Sequence, residues 1–289
     1  MIHMKSALVM QTDFGVDNLS VATMRGVAMI VDPELRVFDA THAINQFDVL
    51  AASDALIYTI PFWPEGTVFV SVVDPGVGTA RKSCVAKLSN GSYIVTPDNG
   101  TLTYVKERIG IVAVREIDES VNRLKGSDKA NSFHGRDVFA YTAARLASGI
   151  INFEGVGPEY PVNEIVTFET THGTVAPGRA EGEIAGCTKH FGGAGTNIDV
   201  DEFEKTGIVY GDMTHVTIVK NGETLFDRDV LYHKSFGFVP EGEPILYNGS
   251  TTPTIALSLN KRSFAEKFLP HIFDTGENFG DYKITIVKK

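Results

Sequence analysis

Cysteine is scarce in this 289-residue sequence, which contains only Cys84 and Cys187. They form neither a CxxC motif nor the four-ligand Cys/His spacing of a structural zinc site. These absences exclude a disulfide framework and a structural zinc site, and they are typical of a protein from a reducing compartment. The eight histidines form no HExxH or comparable pattern, so the sequence predicts no metal site.

Basic residues are also in short supply, with 26 Lys and Arg against 36 Asp and Glu, a formal charge of −10. No cluster of basic residues offsets this balance, which argues against tight nucleic-acid binding. Apolar runs stay below the roughly 18–20 residues of a membrane span. The N-terminus lacks an apolar stretch followed by a cleavage site. We therefore expect a soluble, cytoplasmic protein without nucleic-acid or membrane partners.

Strand-like and helix-like segments alternate through the first half of the chain. Ser6–Met10 is a short apolar run, and residues 19–31 carry apolar side chains at helical spacing ahead of Pro33. Cys84–Leu88 and Tyr93–Val95 flank Asn90-Gly91 and predict a hairpin. This alternation predicts a Rossmann-like α/β domain with a mainly parallel, doubly wound sheet.

The second half has a different texture, with short β-like runs separated by Gly, Asn-Gly and Pro-Gly. Val216–Val219, the turn Asn221-Gly222 and Ile284–Val287 are examples. Strands at this spacing predict a small β-barrel or sandwich. We predict two domains: an α/β domain over residues 1–165 and a smaller β-barrel domain over residues 166–289.

Polar residues follow the predicted strands of the first domain. Asp13 comes after the first strand, Asp39 and His42 after the second, and Asp74 after the third. Ligands of open parallel sheets bind beyond the carboxyl ends of the strands, so these side chains are expected to converge. The alternative for each aspartate is a turn or helix-capping role.

The loop Asp74-Pro75-Gly76-Val77-Gly78-Thr79-Ala80-Arg81 is the most informative local segment. Its glycines permit an unusual backbone path and close approach to a ligand, and Arg81 can fold back to pair with Asp74. A structural ion pair and a catalytic one are both compatible with this pattern. The spacing is not that of a P-loop, and no GxGxxG follows the first strand, which disfavours NTPases and dinucleotide-dependent dehydrogenases.

A second polar cluster, Phe133-His134-Gly135-Arg136-Asp137, directly precedes a helix predicted over residues 138–147. Asp137 there is well placed for the positive end of the helix dipole. Taken alone, His134 fits a hydrogen-bonded structural histidine as well as a catalytic one.

These segments together resemble the S-adenosyl-L-methionine (SAM) hydroxide adenosyltransferases, or SAM hydrolases, which are related to the fluorinating and chlorinating SAM enzymes. The resemblance covers residues 6–158 and rests on five motifs in the same order: Thr12-Asp13-Phe14-Gly15, Asp39-Ala40-Thr41-His42, Val72–Arg81, Pro97-Asp98-Asn99-Gly100 and Phe133–Asp137. It implies a Rossmann-like domain that binds the nucleoside and carries the catalytic residues, and a C-terminal β-barrel that completes the site. It also implies a homotrimer with active sites between the N-terminal domain of one subunit and the C-terminal domain of the next.

The resemblance also assigns roles to individual residues. An Asp, an Arg and a His act on water in that family, and they correspond here to Asp74, Arg81 and His134. Asp13 matches the carboxylate that holds the ribose hydroxyls, and Phe47 the aromatic residue that lines the nucleoside pocket. The implied reaction uses SAM as substrate, needs no metal or cofactor, and yields adenosine and methionine. Which of the three residues is the base stays open.

In the second domain the resemblance is incomplete. Phe236 matches the ring that packs on adenine, and Asn197 and Asn248 are retained as substrate-binding residues. However, Lys189 replaces an Asp and Gly193 replaces an Asn at positions that meet the methionine end and the adenine edge of the substrate. Two alternatives to SAM hydrolysis therefore stand: hydrolysis of another adenosyl compound, and non-catalytic binding of adenosine or SAM. Halogenation is disfavoured, because the halogenating relatives carry a tyrosine where Asp74 stands and a carboxylate repels halide.

Overall fold

The computed structural model describes residues 5–129, 132–250, 252–274 and 277–289. They form two compact units, Met1–Thr170 and Thr171–Lys289. The sequence-based boundary after residue 165 precedes this division. The difference arises because the backbone N–H of Val166 donates to Asp98 Oδ1 at 2.9 Å and that of Phe168 donates to Thr103 Oγ1 at 3.1 Å, which keeps this segment with the first unit.

The first unit is built on one mixed sheet. In chain order its strands are β1 (Leu8–Thr12), β2 (Val37–Thr41), β3 (Val68–Val72), β4 (Ser83–Leu88), β5 (Tyr93–Pro97), β6 (Ile111–Glu116) and β7 (Glu159–Tyr160). Their spatial order is β2-β1-β3-β5-β4-β6-β7. The pairs β1–β2, β1–β3 and β3–β5 are parallel, whereas β4–β5, β4–β6 and β6–β7 are antiparallel. The Rossmann-like prediction is confirmed, but the sheet is parallel in only half of its pairings.

Helices cover the buried strands of this sheet. They are α1 (Leu19–Val31), α2 (Val49–Thr59), α3 (Thr103–Arg108) and α4 (Tyr141–Ala147), and a π-helical turn, Gly135–Ala140, leads into α4. Asn18 begins α1 by accepting the Ser20 N–H at 2.8 Å, which satisfies one of the free amides of the first turn. The inner face of α1 buries Met24 and Val27, and each such side chain contributes about 1.5–3 kcal/mol of apolar burial.

The antiparallel part of the sheet has a direct consequence for the polar residues. Strand β4 is antiparallel to β5, and β5 is parallel to β3. The first residues of β4 therefore lie at the edge of the sheet where β3 and β5 end. Arg81 precedes β4 and Asp74 follows β3, and both are therefore delivered to the same edge.

The second unit is a closed β-barrel. Its strands are β8 (Thr174–Ala176), β9 (Arg179–Cys187), β10 (Ala194–Asp199), β11 (Met213–Lys220), β12 (Glu223–Tyr232), β13 (Pro244–Asn248), β14 (Thr254–Leu259) and β15 (Tyr282–Lys288), with short helices α5 (Val200–Glu204) and α6 (Phe264–Phe268). The order is β10-β14-β13-β12-β11-β15-β9-β8, and β9 also pairs with β10, which closes a ring of seven strands. Phe203, Phe226 and Phe264 fill its core. The predicted C-terminal β-barrel is confirmed.

Among the described residues, no helix is both long and apolar enough to cross a membrane.

Candidate active site

Asp74 and Arg81 form a buried, two-pronged ion pair at the carboxyl edge of the sheet. Arg81 Nε donates to Asp74 Oδ1 at 3.0 Å, and Nη2 donates to Oδ2. The side chains are only 6% and 10% exposed. The loop between them turns tightly enough to place Gly78 at φ = +76°, a conformation that glycine adopts without strain. The loop therefore folds back and pairs Arg81 with Asp74, as the sequence predicted.

The Arg81 guanidinium has three further partners. Nη1 donates to Ser83 Oγ at 2.7 Å, Nη2 lies 3.1 Å from His134 Nδ1, and the group sits 5.2 Å from the centre of the Phe139 ring. The structure therefore brings the three predicted residues Asp74, Arg81 and His134 into one cluster centred on the arginine. Sequence reasoning missed Ser83 and Phe139, because no motif marks either position.

The contact with Arg81 defines the protonation state of His134. A guanidinium nitrogen only donates hydrogen bonds, so Nδ1 must accept, and the neutral ring carries its proton on Nε2. Burial lowers the pKa of His134; the charge of Glu119 opposes this effect, and that of Arg81 adds to it. His134 is accordingly a neutral residue with one N–H available for donation.

The backbone around His134 is shaped by close packing. A Cβ at Gly135 would lie 3.2 Å from ring atoms of both Phe133 and Phe14, so a side chain at this position would force the rings apart. Those rings pack edge to face with centres 5.9 Å apart. The segment that carries His134 is in this way packed against the segment that follows β1. The π-helical turn after His134 is a feature that recurs at functional sites.

Asp13 and Phe47 are also brought together. Asp13 is 8% exposed, and its Oδ2 accepts the backbone N–H of Phe47 at 2.9 Å. Phe47 has φ = +66°, a left-handed conformation that is uncommon for a bulky residue, and its ring is 67% exposed. A large ring held outward on a strained backbone is a feature of ligand-binding positions.

The predicted residues of the second unit lie on its barrel. Phe236 is 41% exposed, and its ring packs against that of Tyr247 at 4.8 Å. Asn248 Oδ1 accepts the Tyr232 hydroxyl at 2.6 Å. The ring of Phe236 therefore has a surface free for contact, whereas one acceptor of Asn248 is already engaged.

Asn197 is held by the barrel on both sides of its amide. Its Oδ1 accepts the backbone N–H of Glu183 at 2.9 Å, and its Nδ2 donates to Thr171 Oγ1 at 3.2 Å. These bonds connect β10 to β9 and to the segment before β8. Part of the hydrogen-bonding capacity of the Asn197 amide is therefore used to stabilise the barrel.

The two positions that depart from the family pattern lie in a tight turn between β9 and β10. Thr188 N–H donates to the carbonyl of Gly193 at 3.0 Å, and Gly193 N–H donates back to Thr188 Oγ1 at 3.2 Å. The side chain of Lys189 is exposed, and so is Phe191 two residues later, at 81%. Lys189 therefore presents its charge to solvent from the turn.

No group of three His, Cys, Asp or Glu side chains within the described ranges is arranged to hold a metal ion.

The fold and the site together define a two-domain protein: an α/β sheet with a buried Asp–Arg–His cluster at its carboxyl edge, followed by a closed β-barrel. Residues 8–157 match the N-terminal domain of the SAM hydroxide adenosyltransferases, and residues 183–275 match the C-terminal domain. The chain belongs to the SAM hydroxide adenosyltransferase family.

Named relatives include hydrolases and a halogenating enzyme. An (R)-S-adenosyl-L-methionine hydrolase from Thermus thermophilus is 35% identical, with 88% of this chain and 92% of the relative covered. A fluorinase from an Actinoplanes species is 28% identical over 84% of this chain and 87% of the relative. The crystal structure of an uncharacterised conserved protein from Thermotoga maritima has a TM-score of 0.85 at 30% identity, covering 97% of this chain and 99% of that one.

Proposed function

We propose that the protein hydrolyses SAM: an activated water molecule displaces methionine from C5′ and leaves adenosine. The observation that carries this proposal is the cluster of Asp74, Arg81 and a neutral His134, buried at the carboxyl edge of the sheet. A protein that only binds adenosine has no need of a buried carboxylate paired with an arginine beside a second hydrogen-bond donor. Hydrolase names among the relatives support the same reaction.

The chemistry requires positioning more than activation of the leaving group. The sulfonium sulfur of SAM leaves readily, so the site must hold water in line with the C5′–S bond, which lowers the barrier by several kcal/mol. The water oxygen bonds to C5′ while the C5′–S electron pair goes to sulfur, forming the thioether of methionine. One water proton stays on the new 5′-hydroxyl and the other must be accepted.

We assign the acceptor role to Asp74. Arg81 donates to both oxygens of this carboxylate, and each oxygen has a lone pair beyond the one that Arg81 uses. His134 is the weaker candidate, because Nδ1 accepts from Arg81 and Nε2 already carries the proton. His134 instead donates from Nε2 to the water oxygen and orients it.

The substrate contacts follow from the chemistry of the remaining residues. Asp13 accepts the ribose hydroxyls, Phe47 lines the nucleoside pocket, and Phe236 packs on adenine. Asn197 and Asn248 supply polar contacts from the barrel. SAM is the substrate, and the proposed reaction uses no cofactor.

We extend the proposal to assembly and location. The proposed binding residues lie in both units, and the resemblance to the family implies a homotrimer whose sites form between the N-terminal domain of one subunit and the C-terminal domain of the next. Cys84 and Cys187 are both free thiols, which supports a reducing, cytoplasmic location.

The direct test is incubation of the purified protein with SAM, without halide, followed by chromatography of the products. We expect adenosine and methionine in equal amounts, and light scattering of the same sample should give the mass of three chains. Unchanged SAM would overturn the proposal. In that case the exposed charge of Lys189 favours an adenosyl compound with an anionic tail, and a panel of such compounds decides between a different hydrolase and a binding protein.

A pH profile tests the neutral state of His134. The pKa of His134 in the folded protein is below the ordinary 6.5, so the ring is neutral at pH 7. The neutral form is lost only as the pH falls through this lowered pKa. We expect kcat/KM for SAM to be constant between pH 7 and 8 and to fall on acidification with an apparent pKa below 6.5. Activity that rises on acidification would show that the protonated ring is the active form.

A further inference from the structure

The strand-end residues Asp39 and His42 take no part in the proposed reaction, yet His42 is held at the substrate-binding segment. Its Nδ1 lies 2.9 Å from Thr12 Oγ1, and both residues are buried, with exposures of 5% and 0%. Thr12 Oγ1 accepts the backbone N–H of Phe14 at 3.2 Å, and the carbonyl of His42 accepts that of Gly15 at 2.8 Å. His42 is thus connected to the segment around Asp13 at two points.

The surroundings of the two ring nitrogens of His42 indicate the direction of its hydrogen bond with Thr12. Nε2 faces a carboxylate oxygen of Asp39 at 3.1 Å, and since a carboxylate accepts, the ring proton belongs on Nε2. Nδ1 then accepts the hydroxyl proton of Thr12, whose oxygen accepts the Phe14 N–H. Burial first, and the charge of Arg25 second, lower the pKa of His42 to about 4, which agrees with a neutral ring.

Charged residues from α1 and β2 lie behind His42. Nε2 is 3.1 Å from Asp39 Oδ1, although this contact lacks the geometry of a full hydrogen bond. Asp39 is itself paired with Arg25, whose Nε donates to Oδ1 at 3.1 Å. A connected set of side chains therefore extends from α1 through β2 to the end of β1.

Asp13 stands between the two residues that this set holds. Thr12 precedes it, Phe14 follows it, and the Phe47 N–H fixes one of its carboxylate oxygens at 2.9 Å. The hydrogen bonds of the neighbouring residues fix the backbone from which the Asp13 side chain extends. The bond from the Phe47 N–H fixes the position of its carboxylate. We propose that His42, acting through the hydroxyl of Thr12, is a positioning residue that aims the carboxylate of Asp13 at the ribose of the nucleoside. This inference rests on the proposed function.

The test compares Thr12→Val with Thr142→Val in the full-length protein. Both replacements remove a buried hydroxyl and keep the side-chain shape; Thr142 on α4 donates to the Asn122 carbonyl at 3.0 Å and has no part in the site. By calorimetry with adenosine, we expect Thr12→Val to raise Kd by about tenfold. KM for SAM should rise by a similar factor with kcat nearly unchanged, and Thr142→Val should bind like the wild type.

Replacements of His42 test the role of its ring nitrogen. An asparagine amide reaches about as far as Nδ1, so His42→Asn should retain most of the affinity, whereas His42→Ala should match Thr12→Val. The double variant Thr12→Val/His42→Ala should be no weaker than either single variant, because both remove the same connection. Amide hydrogen exchange at Phe14 and Gly15 should become faster in both single variants.

The outcomes separate the two proposals. If the wild type binds adenosine and the Thr12 and His42 variants bind it equally well, or if Thr142→Val loses as much affinity as Thr12→Val, the positioning role is wrong. If the wild type itself binds no adenosine, the proposed function is at fault, and exchange at Phe14 and Gly15 still reports whether the connection holds that segment.

Discussion

Asp74→Asn lowers kcat for adenosine formation by about 10²–10⁴-fold, the range expected when a general base is removed. Asparagine has nearly the shape of aspartate and still offers one oxygen to Arg81, but it cannot hold a negative charge or take a proton from water. The measurement is the initial rate of adenosine release at saturating SAM.

The matched control for this result is Asp32→Asn. Asp32 is another shielded carboxylate with a cationic partner, Lys5 Nζ at 2.8 Å, and it lies at the C-terminal end of α1 away from the cluster. Its replacement is expected to leave the rate of adenosine formation within about twofold of the wild type, the scatter of an ordinary substitution outside the site. An Asp74→Asn enzyme that keeps a third or more of its activity would remove the carboxylate from the mechanism.

Arg81→Met lowers the free energy of unfolding by about 3–5 kcal/mol, the usual cost of breaking a buried ion pair from one side. Arg81 serves Asp74, His134 and Ser83 at once, so its loss leaves a buried charge and two acceptors without their donor. Urea denaturation at pH 7.5 measures the change.

Two companion variants interpret this stability loss. Asp74→Leu/Arg81→Met removes both charges and should recover most of the stability, because no lone charge remains buried. Arg179→Met breaks a pair in which Arg179 and Glu181 are each about half exposed, and it should cost less than about 1 kcal/mol. If Arg81→Met also lowered the free energy of unfolding by less than about 1 kcal/mol, water would have to reach the cluster freely.

Local features of the fold could be read from the sequence because they depend on neighbouring residues. The bounds of α1 were predicted from its apolar spacing and the stop at Pro33, and they agree with the structure. The ion pair between Asp74 and Arg81 follows from a short loop that can bend in only a few ways. The turn at Asn90-Gly91 likewise gives the β4–β5 hairpin.

Features that depend on distant partners could not be read in the same way. Apolar periodicity identifies a strand but not its neighbour, so the antiparallel β6 and β7 were not anticipated. The helix predicted over 138–147 begins instead as a π-helical turn at Gly135. The sequence did not predict this turn, because a one-residue change of hydrogen-bond register leaves no mark on composition. The contact of Thr12 with His42 joins residues that are 30 positions apart.

The contacts of Asp98 determine where an isolated first domain must end. Its carboxylate accepts the Tyr160 hydroxyl and the Val166 N–H, each at 2.9 Å, and burial raises its pKa. Phe168 packs so closely on Gly100 that a Cβ there would lie 2.1 Å from its ring. An isolated first domain that stops at residue 157, where the family match ends, would lose these partners and leave a buried carboxylate without donors. For expression of that domain alone, Thr170 is the sound end point.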